Sequence, residues 1–313
     1  MPKSSTTPSR RRSTRLGNYV AAKAHAWLAV EHHDPERDAA EVWRFTHDLG
    51  VAAKCHLAIA LWHHGQVARS LALESEVLER ASSIRHNNSV GYALFFCGAV
   101  SAYRRRDFRA LAEMSTRLQA HGQRSALPYF ASHGSVFVAM SQISSGRALE
   151  GVEAVRGAIQ AAEQSHQAAF LPLWLGILAE GLAESGAAAQ ALNVLDEAIA
   201  TAERTGERGY TAELWRLRAG IESGVNEGAK HVGSEAALRK AMEIARAQGS
   251  FMFELRAAND LTRLLADERR ADEASRLLED LTQRARALAV DEAVLAEVNA
   301  SLQSLRGSSA AAG

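Results

Sequence analysis

The stretch "AQALNVLDEAIATAER" (residues 189–204) decides how this chain folds. Ala191, Leu192, Leu195, Ala198, Ile199 and Ala202 recur at the spacing of one helical face, and polar residues occupy the opposite face. The segment stops at Thr205-Gly206, where glycine suits the position just past a helix end. Further along, "EAALRKAMEIARAQG" (235–249) repeats the design with Leu238, Ala241, Met242 and Ala245 before Gly249. Ala198 superposes on Ala241 and Gly206 on Gly249, a constant offset of 43 residues. In the other direction Ala158, Ile159 and Ala162 match the pattern at an offset of 40.

The helices before these also repeat. Ala58 and Gly65, Ala139 and Gly146, and Ala179 and Gly186 each place a small residue seven positions ahead of a glycine. Pro128 and Pro172 each open such a segment, where a missing N–H is harmless. Repetition every 40–44 residues, two helices to a unit, predicts an all-α solenoid of antiparallel hairpins wound into a right-handed superhelix. The expected hairpins are 49–84, 89–121, 125–165, 168–204, 209–248 and 251–286, with a capping helix at 291–306. Residues 1–16 are expected to form a disordered basic tail and 307–313 a disordered end, with the repeat domain between them at 17–306. The one long insertion is 223–234. In such an array each pair buries its apolar face only against the next, which leaves a long surface for grip and no pocket for chemistry.

Composition agrees with small-residue helix packing: of 313 residues, 47% are hydrophobic but only 6% aromatic. Thirty-six basic and 36 acidic residues cancel, so no global field recruits nucleic acid or an anionic membrane. Arg10, Arg11, Arg12 and Arg15 have no interleaved aromatic residues, and nucleic-acid binding is not expected of them. The longest uncharged apolar run, 168–179, is shorter than a membrane span and contains Pro172. With no secretory signal in view, a cytoplasmic protein is expected. Cys55 and Cys97 belong to no metal-binding spacing and read as buried free thiols.

No residue set argues for catalysis, a cofactor or a metal. His56 and His63 share a helical face, yet no third ligand lies at a useful offset, and His63-His64 reads as a helix end ahead of the elbow glycine Gly65. Trp62 takes the place of Ile143 and Ala183, a packing position. His32-His33 reads as a helix end before a turn, and Asp48 as the N-cap or a first-turn acid of the following helix. Arg104, Arg105 and Arg106 read as a solvated turn.

Three stretches now resemble one family: "FTHDLGVAAKCHLAIALWHHG" (45–65), "ESGAAAQALNVLDEAIATAERTGER" (184–208) with "AELWRLRAG" (212–220), and "RKAMEIARAQGSFMFELRAANDLTRLL" (239–265). They look like the tetratricopeptide-type region of bacterial adenylate/guanylate cyclase-like, ATPase-containing regulatory proteins. The resemblance implies a TPR-like fold and a non-catalytic arm that senses or binds a partner; no P-loop or cyclase domain accompanies it here. Residues 17–33 resemble the second helix of a hairpin whose first helix is absent, and carry Val20, Ala24, Trp27 and Leu28 on one face. That face is a candidate for docking, self-association or attachment to a catalytic module. The functional expectation is a scaffold for a protein or peptide in bacterial signalling, the alternative a detached regulatory arm.

Overall fold

A computed structural model describes residues 13–38, 46–164, 169–225 and 232–311. After a helical turn at 13–15 come α1 (Tyr19–Glu31) and the short α2 (Pro35–Asp38). The hairpins then follow: α3 (Leu49–His63) with α4 (Val67–Ile84), and α5 (Asn87–Ala93) running through a π segment (Leu94–Ala99) into α6 (Val100–Arg105), paired with α7 (Phe108–Arg124). Next are α8 (Pro128–Ser144) with α9 (Ala148–Gln164), α10 (Leu171–Glu184) with α11 (Ala188–Thr205), α12 (Thr211–Val225) with α13 (Val232–Gln248), and α14 (Phe251–Asp267) with α15 (Ala271–Ala287). The final helix is α16 (Glu292–Ala311). Among the described residues there is no strand.

The elbows have a common cause. At Gly65, Gly146 and Gly186 the chain takes positive φ, and the next amide donates back to the carbonyl five residues earlier, as Gln66 does to Leu61 at 2.9 Å. Gly206 and Gly249 take the same conformation between hairpins. Ala198 and Ala241 are fully buried, so neighbouring helices approach closely there. The second and sixth hairpins break the glycine pattern: Arg106 and Arg269 occupy the left-handed elbow with φ 58° and 60°, a conformation uncommon for a side chain with a Cβ. The Arg106 guanidinium pairs with Glu180 and Glu213 on later hairpins.

Packing departs from a purely neighbour-to-neighbour stack. One apolar cluster runs through the first four hairpins and a second through the last two and α16. A third joins the two ends: Trp62 of α3 meets Ala212, Ala245 and Phe253. Beside it the Gly65 carbonyl accepts from the Asp291 amide at 2.9 Å, and the Asp291 carboxylate accepts from the Ala68 amide at 2.6 Å. The superhelix thus closes on itself, and the expectation of contacts only between adjacent pairs is corrected. Helix periodicity reports which face is buried but not how far the stack curves.

The ends differ from expectation as well. Residues 13–16 are ordered, anchored by the Arg15–Glu207 ion pair at 3.1 Å, instead of belonging to a disordered tail. Arg10, Arg11 and Arg12 lie outside the described residues, as do 226–231 of the long insertion. The last helix continues to Ala311, so the tail expected from 307 is helical up to that point, in keeping with the alanines that end it. Helix α1 is capped by the Asn18 side chain and buries Tyr19, Ala22 and Ala26. The opposite stripe of Val20, Ala24, Trp27 and Leu28 stays exposed. No helix of the described chain is long and apolar enough to cross a membrane.

Candidate ligand-binding cavity

Closure of the superhelix creates a cavity of about 610 Å³, within the range typical of small-ligand sites. Its wall comes mainly from the first helix of successive hairpins: His56, Ile59 and His63 from α3, Val100 and Tyr103 from α6, Tyr129 from α8, Leu173 from α10 and Phe253 from α14. Phe96 enters from the π segment, the kind of helix irregularity often found at functional sites. Tyr19, Tyr103, Tyr129 and Tyr210, four of the five tyrosines in the chain, line this space. In a protein poor in aromatic residues, that concentration separates the cavity from ordinary core.

Thr14 and Arg15 bring the N-terminal segment across one side. Its anchors reach both flanks: Thr14 Oγ1 lies 3.3 Å from His56 Nδ1, and the Tyr19 hydroxyl donates to the Gly209 carbonyl at 2.7 Å. The ring of Tyr19 stacks on His63 with centroids 3.5 Å apart. His63 in turn bonds the Ser250 hydroxyl at 2.7 Å, and His56 the Tyr92 hydroxyl at 2.8 Å. Burial, with Arg104, His64 and Arg256 adding repulsion, holds the His63 imidazole well below its ordinary pKa and therefore neutral.

Below the aromatic wall lies a charged network tying the second hairpin to the fourth, fifth and sixth. Glu213 is fully buried among Arg216 at 2.8 Å and Arg106 and Arg256 at 3.4 Å each. Burial alone would raise its pKa, but these cations hold it well below the usual carboxylate range. The Tyr103 hydroxyl donates to Glu180 and accepts from Tyr210 at 3.0 Å. Arg256 also donates to the Arg104 carbonyl. The expected solvated turn at 104–106 is corrected: Arg104 is 5% exposed, and Arg105 pairs with Glu74 at 3.1 Å. Sequence adjacency suggested a loose basic elbow; Glu74 on the preceding hairpin and Glu180 and Glu213 on later ones draw it inward.

The other sequence candidates fall as follows. Asp48 caps α3, accepting from the Val51 amide at 2.7 Å. His64 reaches the Ala60 carbonyl at 2.7 Å, and His33 lies 3.3 Å from Asp38. Cys55 and Cys97 are both buried and come within 3.5 Å of each other, a juxtaposition their sequence separation conceals. Among the described residues no three His, Cys, Asp or Glu side chains are grouped as a metal site would require. The cavity itself escaped sequence reasoning. One signal pointed to it: aromatic residues gathered on first helices.

Fold and cavity together define the class: an all-α solenoid with the TPR-like helical-repeat fold. The chain is similar to a Rap protein whose crystal structure was determined in complex with competence and sporulation factor. That match has a TM-score of 0.63 at 12% identity and covers 96% of this chain and 86% of the Rap chain. An uncharacterised protein of Rhizobium meliloti (strain 1021) is 29% identical over 218 residues, 70% of this chain. The matched region is 21% of that relative's length. No family model matches.

Proposed function

We propose that the protein is a non-catalytic helical-repeat scaffold that holds a protein or peptide partner in bacterial signalling, with the concave cavity as its recognition site. The observation that carries this reading is the gathering of four tyrosines and neighbouring phenylalanines around one cavity. Rigid aromatic rings offer large contact area with little rotamer entropy to lose on binding. The Rap protein's complex with a factor supports the choice of a binding function, while its low identity bears on fold alone. This reading places the protein in the cytoplasm and assigns it no cofactor.

The test is selection from a random short-peptide library on the immobilised full-length protein, alongside Leu173→Trp, which fills the cavity. Peptides retained by the wild type should lose at least tenfold in affinity on the variant, with circular dichroism and melting temperature unchanged. Equal retention by both proteins would exclude the cavity as the recognition site.

A second reading, favoured by the match to a fifth of a much longer relative, is a regulatory arm of a cyclase- or ATPase-type signalling protein. In that case Val20, Ala24, Trp27 and Leu28 form the face that self-associates or docks on a catalytic module. Trp27→Asp should then abolish self-association in sedimentation experiments or co-purification with the module. Unchanged behaviour in both would discard it.

A further inference from the structure

Among the described residues, Arg104 is the cavity-lining group whose chemistry the fold leaves unfinished. It is 5% exposed, yet none of its three guanidinium nitrogens has a hydrogen-bond partner among the described residues. Its approach to Glu74, at 3.6 Å, is an ion pair beyond hydrogen-bonding reach. The Glu74 oxygens are instead taken by Ser70, Ser101 and Arg105. The flat face of the guanidinium is well supported, with Cζ 5.1 Å from the centre of the Trp62 ring. What is missing lies in its plane, where the five N–H donors point. An unsatisfied buried guanidinium is destabilising, and a carboxylate matches its fork with two parallel bonds.

The surroundings select the charge and body of the ligand. The other lining cation, Arg15, is already paired with Glu207 at 3.1 Å, and His63 is held neutral. With Glu74 also close, a single negative charge is favoured over the two of a phosphate monoester. Much of the cavity wall is apolar and aromatic: Ile59, Phe96, Val100, Tyr129, Phe170 and Phe253.

The geometry points to a carboxylate-binding site in this cavity, in which Arg104 takes the carboxylate of a ligand with an aromatic or branched apolar body. The inference rests on the cavity being the recognition site. Its ligand is either a free aryl-alkanoic acid or the C-terminal carboxylate of a short peptide, since both present the same group.

The experiment is calorimetric titration of the full-length protein with 3-(indol-3-yl)propionic acid and its primary amide, and with tripeptides ending in phenylalanine as free acid or amide. At least one acid should bind tenfold or more tightly than its amide, and whichever pair shows the difference identifies the source. Arg104→Met should erase the acid–amide difference, and Arg104→Lys, which keeps the charge but not the fork, should restore part of it. Arg104→Met should melt no lower than wild type, because it removes a buried charge without good partners. Acids and amides binding alike, or Arg104→Met keeping the preference, overturns the inference. If that happens while library peptides are still lost on Leu173→Trp, the cavity reading stands and only the carboxylate assignment falls. If no carboxylate probe binds and library peptides ignore Leu173→Trp, both fall.

Discussion

His133 should make this fold acid-sensitive, by an amount its surroundings allow to be worked out. It sits on α8 with its ring 1% exposed, between Phe95 at 4.6 Å and Trp174 at 4.8 Å between ring centroids. Its Nδ1–H donates to the Tyr129 carbonyl at 2.8 Å, while Nε2 is buried without a partner among the described residues. A second proton on Nε2 would therefore be an unpaired charge among aromatic rings. Burial, opposed weakly by the Tyr129 carbonyl, lowers the pKa from 6.5 to about 4. The unfolded chain then takes up this proton at higher pH than the folded chain does. Stability is full above pH 6.5 and falls as the pH drops from 6.5 toward 4. Linkage gives a loss of about 2 kcal/mol at pH 5 and about 3 kcal/mol near pH 4 from this residue alone. Urea unfolding at pH 7 and pH 5, followed by circular dichroism, measures it. His133→Phe should reduce the pH 7-to-5 difference by about 2 kcal/mol, whatever it does to absolute stability. An unchanged difference in the variant, or a His133 imidazole that titrates near 6.5 by NMR, would refute the reasoning.

Three further outcomes are expected. Trp62→Ala removes the clasp between the first and last hairpins and should destabilise by about 3–5 kcal/mol; amides around Asp291 and Ala68 should then exchange faster in hydrogen-exchange measurements, and unchanged protection there would deny the closure. Gly122→Ala should destabilise by about 1–3 kcal/mol in denaturant titration although alanine is the better helix former, because its Cβ would meet the Ala131 nitrogen at 2.3 Å where α7 crosses α8; a gain in stability would contradict that crossing. Cys55 and Cys97 should resist a thiol reagent in the native protein and react fully once unfolded, since both are buried and the Cys55 thiol and burial raise the Cys97 pKa; rapid native labelling would show that the core there opens.

Much of the architecture is legible along the chain because helices and elbows are local. The alanine and leucine stripe of 189–204, its counterpart at 235–249 and the glycines at 65, 146, 186, 206 and 249 depend only on residues within a turn or two of one another. The site is another matter. Arg104 looks like one of three arginines in a basic elbow; its burial depends on Trp62, Glu74 and Arg256, which lie 30 to 152 residues away in the chain. The pairing of Cys55 with Cys97 and of Tyr103 with Glu180 is hidden for the same reason.

By itself, then, the order of residues determined that there are paired helices, where each one turns, and which side of each is apolar. Only the tertiary structure decided that the stack curves until Trp62 meets Phe253, and so that an aromatic cavity exists with the Arg104 guanidinium at its wall. The physical reason is accumulation: a small rotation at each helix contact is set by side-chain volumes, and closure depends on their sum over six hairpins, which no single stretch of the chain contains.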